Sequence, residues 1–123
     1  MPVERIQPSG LSQPTMNAGQ PSYAHVVKAG NTVYISGQVA RNGQGEIVGI
    51  GDIEAQVTQV FENLKTAMAA VNGDLRNLVK VVIYLTDPRF RDAIRLNAMC
   101  RSKFCSAASA TPICTTPVTS GTT

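Results

Sequence analysis

Apolar and polar residues alternate from Tyr23 to Gln38 on either side of Gly30-Asn31, a dipeptide that tolerates positive φ and suits a two-residue hairpin turn. The pattern predicts two antiparallel strands. In the second strand Val33 and Ile35 share one face with Gly37, while Thr32, Tyr34 and Ser36 share the other, so the sheet has one apolar side that calls for a helix layer. Arg41 to Gly45 is a polar, glycine-punctuated turn, and Glu46 to Ile50 forms either a short strand or a connecting loop. The period then changes. Ile53, Val57, Val60, Phe61, Leu64, Ala67, Met68 and Val71 recur at intervals of three and four, with Glu54, Thr58, Gln59, Glu62, Asn63, Lys65 and Thr66 on the other face. Asp52 is placed to cap this helix by accepting from its orphan N–H groups, and Asn72-Gly73 to end it, because those two residues adopt the left-handed terminal conformation cheaply. Leu78 to Leu85 is dense in β-branched residues and reads as a mostly buried strand, stopped by Thr86-Asp87-Pro88. A second helix from about Arg89 to Phe104 is suggested by Phe90, Ala93, Ile94, Ala98 and Phe104, although Asn97 and Arg101 interrupt its stripe. The order β-β-(β)-α-β-α lacks the last strand that would complete a second βαβ unit.

At 123 residues the chain is expected to form one domain over 1–123, with an atypical Ser/Thr/Pro tail from about 105 to 123. Its apolar runs fall far short of the roughly 18 residues that span a bilayer, which predicts no membrane association. The first residues, Met1-Pro2-Val3-Glu4-Arg5, carry neither a signal core nor an Arg/Ser-rich transit pattern, so the expected compartment is the cytosol. Cys100, Cys105 and Cys114 have no paired spacing and His25 is the single histidine, which supports neither a disulfide framework nor a metal site. The net charge of +3 is mildly basic, with Arg89, Arg91, Arg95, Arg101 and Lys103 falling in one segment. Such spacing is more commonly a solvated helix face than an RNA-binding one.

Tyr23, Lys28-Ala29-Gly30-Asn31, Val33-Tyr34-Ile35-Ser36-Gly37-Gln38, Gly51-Asp52, Ala55-Gln56, Phe61-Glu62-Asn63-Leu64 and Val81-Val82-Ile83-Tyr84-Leu85-Thr86-Asp87 follow one another in a recognisable order and spacing. Over about Tyr23 to Phe104 the chain resembles the Rid (reactive intermediate deaminase, YjgF-like) family. The resemblance implies an α+β, chorismate-mutase-like subunit of β-β-α-β-α-β type: a two-layer fold with two helices packed on one face of the sheet. It implies a homotrimer with ligands in the clefts between subunits, and hydrolysis of enamines and 2-imino acids to 2-oxo acids and ammonia. It also implies no metal or organic cofactor. An arginine would grip the substrate carboxylate while a held water attacks the imine carbon.

Residue by residue, the resemblance places Tyr23 at the family's pocket tyrosine and Ser36 and Gly37 at its strand serine and glycine, which makes these three the substrate-binding candidates. Ordinary roles stand beside these: a strand-end tyrosine with its hydroxyl in water, a serine bonded to its neighbour strand, and a glycine at a bulge. His25 shares the strand face of Tyr23, so a general-base role and the commoner structural one are both open. No residue is assigned as catalytic. Ile94 stands near the position of the family's helix asparagine, and Asn97 lies one turn later. After Lys103 there is no Arg, Lys, Asp or Glu, so the family's arginine-bearing strand and its pocket glutamate have no counterpart. Pro112 and Pro117 would each remove a ladder donor, which leaves the final strand missing or altered. Arg95 and Arg101, both on the expected second helix, are the substitute carboxylate anchors. The abrupt change near Cys100 to Cys105 is read as a shifted frame or another terminal replacement, with a natural variant carrying a disordered Ser/Thr tail as the rival reading. The expected mark of a shifted frame is an arginine-bearing strand in another frame of the coding nucleotides; two frames without one would refute it. The function readings are an imine/enamine deaminase lineage with doubtful activity, a non-catalytic trimer binding an imine or small carboxylate, and, less favoured, an RNA-binding or endoribonuclease-like relative.

Overall fold

The computed structural model describes residues 2–94. Its sheet has three strands in the order β1-β4-β5: β1 (Val3–Ile6), β4 (Val26–Ala29) and β5 (Thr32–Ile35). Both pairings are antiparallel, with Ile6 opposite Val26 and Val26 opposite Ile35. The expected hairpin is present. Gly30 takes the positive φ of 60° that opens its two-residue turn, and Val33 and Ile35 point inward while Thr32 and Tyr34 remain exposed.

A small hairpin of β2 (Met16–Asn17) and β3 (Gln20–Pro21) precedes it, turning at Ala18 and Gly19 with φ of 50° and 80°. Neither this hairpin nor β1 is foreseen by the hydrophobic pattern, because two-residue strands and the Val-Glu-Arg-Ile of β1 carry no clear alternation. Segment 46–50 is a loop with one bridge, Arg41 to Ile47.

Helix α1 (Ile53–Ala69) begins where Asp52 Oδ1 accepts from the Ala55 N–H at 3.2 Å, and it stops at Asn72, whose φ is 60°. Its apolar stripe divides between two clusters. Ala67, with Val71, packs on the sheet beside Leu11 and Val26, whereas Val57 and Phe61 pack on Leu75 and Ile94. Complete burial of a side chain of this size contributes roughly 1.5–3 kcal/mol, so the helix joins two cores that neither the sheet nor the later chain could build alone. At its N-terminal end Gly49 sits so close that a Cβ there would lie 2.9 Å from the Ala55 Cβ, and the Gln56 amide donates to the Gly49 carbonyl at 2.7 Å.

One expectation differs from the structure. Leu78 to Leu85 forms no strand: Val79 is 100% and Tyr84 92% exposed. A strand needs a hydrogen-bonding neighbour, and among the described residues a cavity lies between this segment and β5. Of the second helix, the structure describes a 3-10 turn at Pro88–Phe90 and α2 (Arg91–Ala93). The two-layer packing expected of two helices thus reduces, in the described residues, to one long helix on a three-stranded sheet; the remainder of the 89–104 expectation, with Asn97, Arg95, Arg101, the cysteines and the tail, falls outside them.

Candidate functional site

The end of the β4–β5 hairpin opposite its turn gathers the candidate residues. Antiparallel register carries His25 opposite Ser36, and the Ser36 N–H donates to the His25 carbonyl at 2.9 Å. The Ser36 hydroxyl reaches the same carbonyl at 3.4 Å. Tyr23, 46% exposed, lays its ring edge-on to the His25 imidazole with centroids 5.2 Å apart. Gln7 clamps this end of β4 through its amide, donating to the Tyr23 carbonyl at 2.6 Å and accepting from the His25 N–H at 3.0 Å.

His25 is itself buried, and its surroundings fix its tautomer. The Ser12 carbonyl 2.6 Å from Nε2 can only accept, so Nε2 carries the proton, and Nδ1 then accepts from the Gln38 side-chain amide at 3.2 Å. Both ring nitrogens are engaged. Their geometry describes a structural histidine that ties the 7–13 loop to the hairpin, with no lone pair left for proton abstraction.

Ser36 and Gly37 border a cavity of about 1070 Å3 between β5, α1 and the Asn77–Leu85 segment; Tyr23 lies outside its lining, against His25, whose carbonyl bonds Ser36. Among the described lining residues Lys80 alone is charged, and the α1 wall is made by Val57, Val60, Phe61 and Leu64. Asn63, expected on the polar helix face, is buried instead. Its Nδ2 donates to the carbonyls of Val39 and Arg41, both at 3.0 Å, and its Oδ1 accepts from Gln59 at 2.9 Å, so it anchors the loop that follows Ser36-Gly37-Gln38. The sequence signal for this role was an asparagine beside an apolar stripe, which periodicity alone cannot separate from a solvated one.

Three of the described arginines are engaged at the surface. Arg76 pairs with Asp74 at 2.8 Å and Arg89 with Asp87 at 2.6 Å, and in each case the arginine's hydrogen bonds hold the carboxyl below its ordinary range. The Arg41 guanidinium donates to the Gly45 carbonyl at 2.7 Å. Thus no described arginine faces the cavity to grip a carboxylate. Among the described residues no three His, Cys, Asp or Glu side chains converge as a metal site, and no helix is long and apolar enough to cross a membrane.

The family model for Endoribonuclease L-PSP matches residues 15–114. A RutC family protein of Pyrococcus horikoshii is 42% identical over 76 residues, which cover 59% of this chain and 60% of that protein. The 2-iminobutanoate/2-iminopropanoate deaminase of Dermatophagoides farinae is 32% identical over 82 residues, 67% of this chain and 62% of the enzyme. The chain therefore spans less than two thirds of these relatives' length. The crystal structure of RidA from an Antarctic Psychrobacter matches with a TM-score of 0.63 at 32% identity, covering 79% of this chain and 76% of that one. The α+β fold built on the Tyr23 to Gln38 hairpin and its covering helix, matched along most of its length by the family model, belongs to the RidA/YjgF/L-PSP (Rid) family.

Proposed function

We propose that this chain is a small-molecule-binding protein of imine- and enamine-deaminase lineage, in which Tyr23, Ser36 and Gly37 form the retained part of the substrate site. The observation that carries the reading is the Ser36-Gly37 wall of an apolar cavity in a chain whose relative is named a 2-iminobutanoate/2-iminopropanoate deaminase. Ordered backbone groups at this strand end suit a planar imine, and the cavity walls exclude water from its apolar substituent. A complete deaminase also needs a cation for the carboxylate, and the described lining offers only Lys80, a point charge without the bidentate fork of arginine. Turnover of 2-imino acids is therefore expected to be weak while binding persists. The further parts of this reading are a chorismate-mutase-like trimer of one-domain subunits, ligands in the clefts between them, and a cytosolic setting.

The test generates 2-iminopropanoate in situ, follows release of the 2-oxo acid with and without the chain, and measures native mass by sedimentation. The expected result is a trimer whose melting temperature rises with a small 2-oxo acid and whose release rate stays within about tenfold of the uncatalysed one. Acceleration of several orders of magnitude would show that an anchor such as Arg95 or Arg101 completes the site. A monomer without ligand-induced stabilisation would remove the binding reading too. RNA binding draws little support, because Arg76 and Arg89 are neutralised by neighbouring carboxylates.

A further inference from the structure

β5 forms one margin of the sheet, and its outer edge has no strand beside it among the described residues. The ladder shows which peptide groups it presents. Since the Ser36 N–H bonds the carbonyl directly opposite at His25, the same pairing recurs every second residue, so Tyr34 and Thr32 also turn their peptide groups toward β4. Val33 and Ile35 turn theirs outward, into the cavity of about 1070 Å3. Opposite them lies Leu78–Leu85, a β-branched stretch without a ladder of its own, and α1 covers the space with Val60 and Leu64. An extended backbone entering here finds donors and acceptors at β5 and an apolar wall for every second side chain.

We propose that this slot accepts an extended segment of another polypeptide as an added strand, in competition with the small ligand assigned above to the same cavity. The segment is proline-free, about five or six residues long, and aliphatic or β-branched at the alternate positions that face α1. The chain's own sequence beyond Ile94 argues for a donor from outside. Its β-branched stretch, Ile113-Cys114-Thr115-Thr116, is bracketed by Pro112 and Pro117, which lack the N–H a ladder requires. Lys80 is the single charge in the lining, so the complementary segment is uncharged where it meets α1. The apolar margin at Val79, Val82 and Tyr84 is exposed, as at surfaces that are covered by a partner.

The experiment adds a synthetic peptide, Lys-Thr-Val-Thr-Val-Thr-Val-Lys, to the full-length isotopically labelled chain and follows amide hydrogen exchange by NMR. Exchange at Val33 and Ile35 is expected to slow at least about tenfold, with Thr32 and Tyr34, already bonded to β4, unchanged. Proline at the two central peptide positions should weaken binding by about tenfold or more, as should Val60→Asp in a chain whose melting curve stays cooperative. If that variant fails to fold, the comparison of the two peptides decides alone. Protection of Val33 and Ile35 already present in the free chain at high dilution would overturn the proposal, because the chain itself would then close the edge. Loss of that protection only on diluting the free chain would assign the edge to a second copy and overturn it equally. Binding that ignores proline and leaves both amides exchanging freely would do so as well.

Discussion

Replacing Leu11 by alanine is expected to destabilise the chain by about 2–5 kcal/mol, read as a lower urea midpoint at unchanged slope. Leu11 lies on the loop between β1 and β2, yet it is 1% exposed and packs with Val26 and Ala67 between helix and sheet. Few loop residues do this. The loop is held in place around it, with the Leu11 N–H on the Pro8 carbonyl at 3.3 Å and the Ser12 carbonyl on His25, so it has little freedom to collapse into the space left behind. A cavity term is thus added to the lost transfer energy, and together they form a large part of a total stability of about 5–15 kcal/mol. Leu11→Met, which keeps most of the volume, should cost under about 1.5 kcal/mol. Equal effects of the two changes would mean that burial of this side chain is not what fixes the loop.

Asn63→Leu should cost about 2–4 kcal/mol, because two backbone carbonyls lose their donor while the helix gains only an aliphatic group of similar size. Asn63 joins α1 to Val39 and Arg41, across 24 and 22 residues of chain, so the loss is of tertiary closure rather than local helix strength. Water reaches part of the exposed Val39 segment, which keeps the effect below the sum of two fully buried orphan groups. Asn63→Asp is the sharper comparison: its shape is nearly the same, but it offers oxygens to both carbonyls and should be at least as damaging. Thermal melts of the two variants decide the matter; an aspartate that restores stability would show that shape, not donation, matters at this position.

The strong local signals were legible. Asp52, the three-and-four stripe and Asn72 delimit α1, and the turn at Gly30 registers the hairpin, because capping and positive φ are properties of a few adjacent residues. Where partners distant in sequence decide, the pattern failed. Leu78 to Leu85 has the composition of a buried strand, but strand formation is a property of a pair, and the described residues leave it alone. Asn63 was misjudged, and Leu11 passed over, for the same reason: one polar residue is buried by what it bonds across the fold, and one loop residue by the space beneath a helix. The candidate site was partly legible, since register brings Ser36 opposite His25 whenever the hairpin forms, whereas the engagement of both imidazole nitrogens depends on Ser12 and Gln38 and could not be read from spacing.

Lys80 is the single charge between Leu78 and Leu85, in a stretch otherwise made of leucine, valine, isoleucine and tyrosine. Short apolar, β-prone windows without charge or proline are the ones that stack between molecules, and a lone lysine in such a window is a kinetic guard against that. Acylation of its amine, or exchange for a neutral residue, would leave an eight-residue uncharged segment on the surface, so the colloidal behaviour of the chain rests on one ammonium group far more than its net charge of +3 suggests.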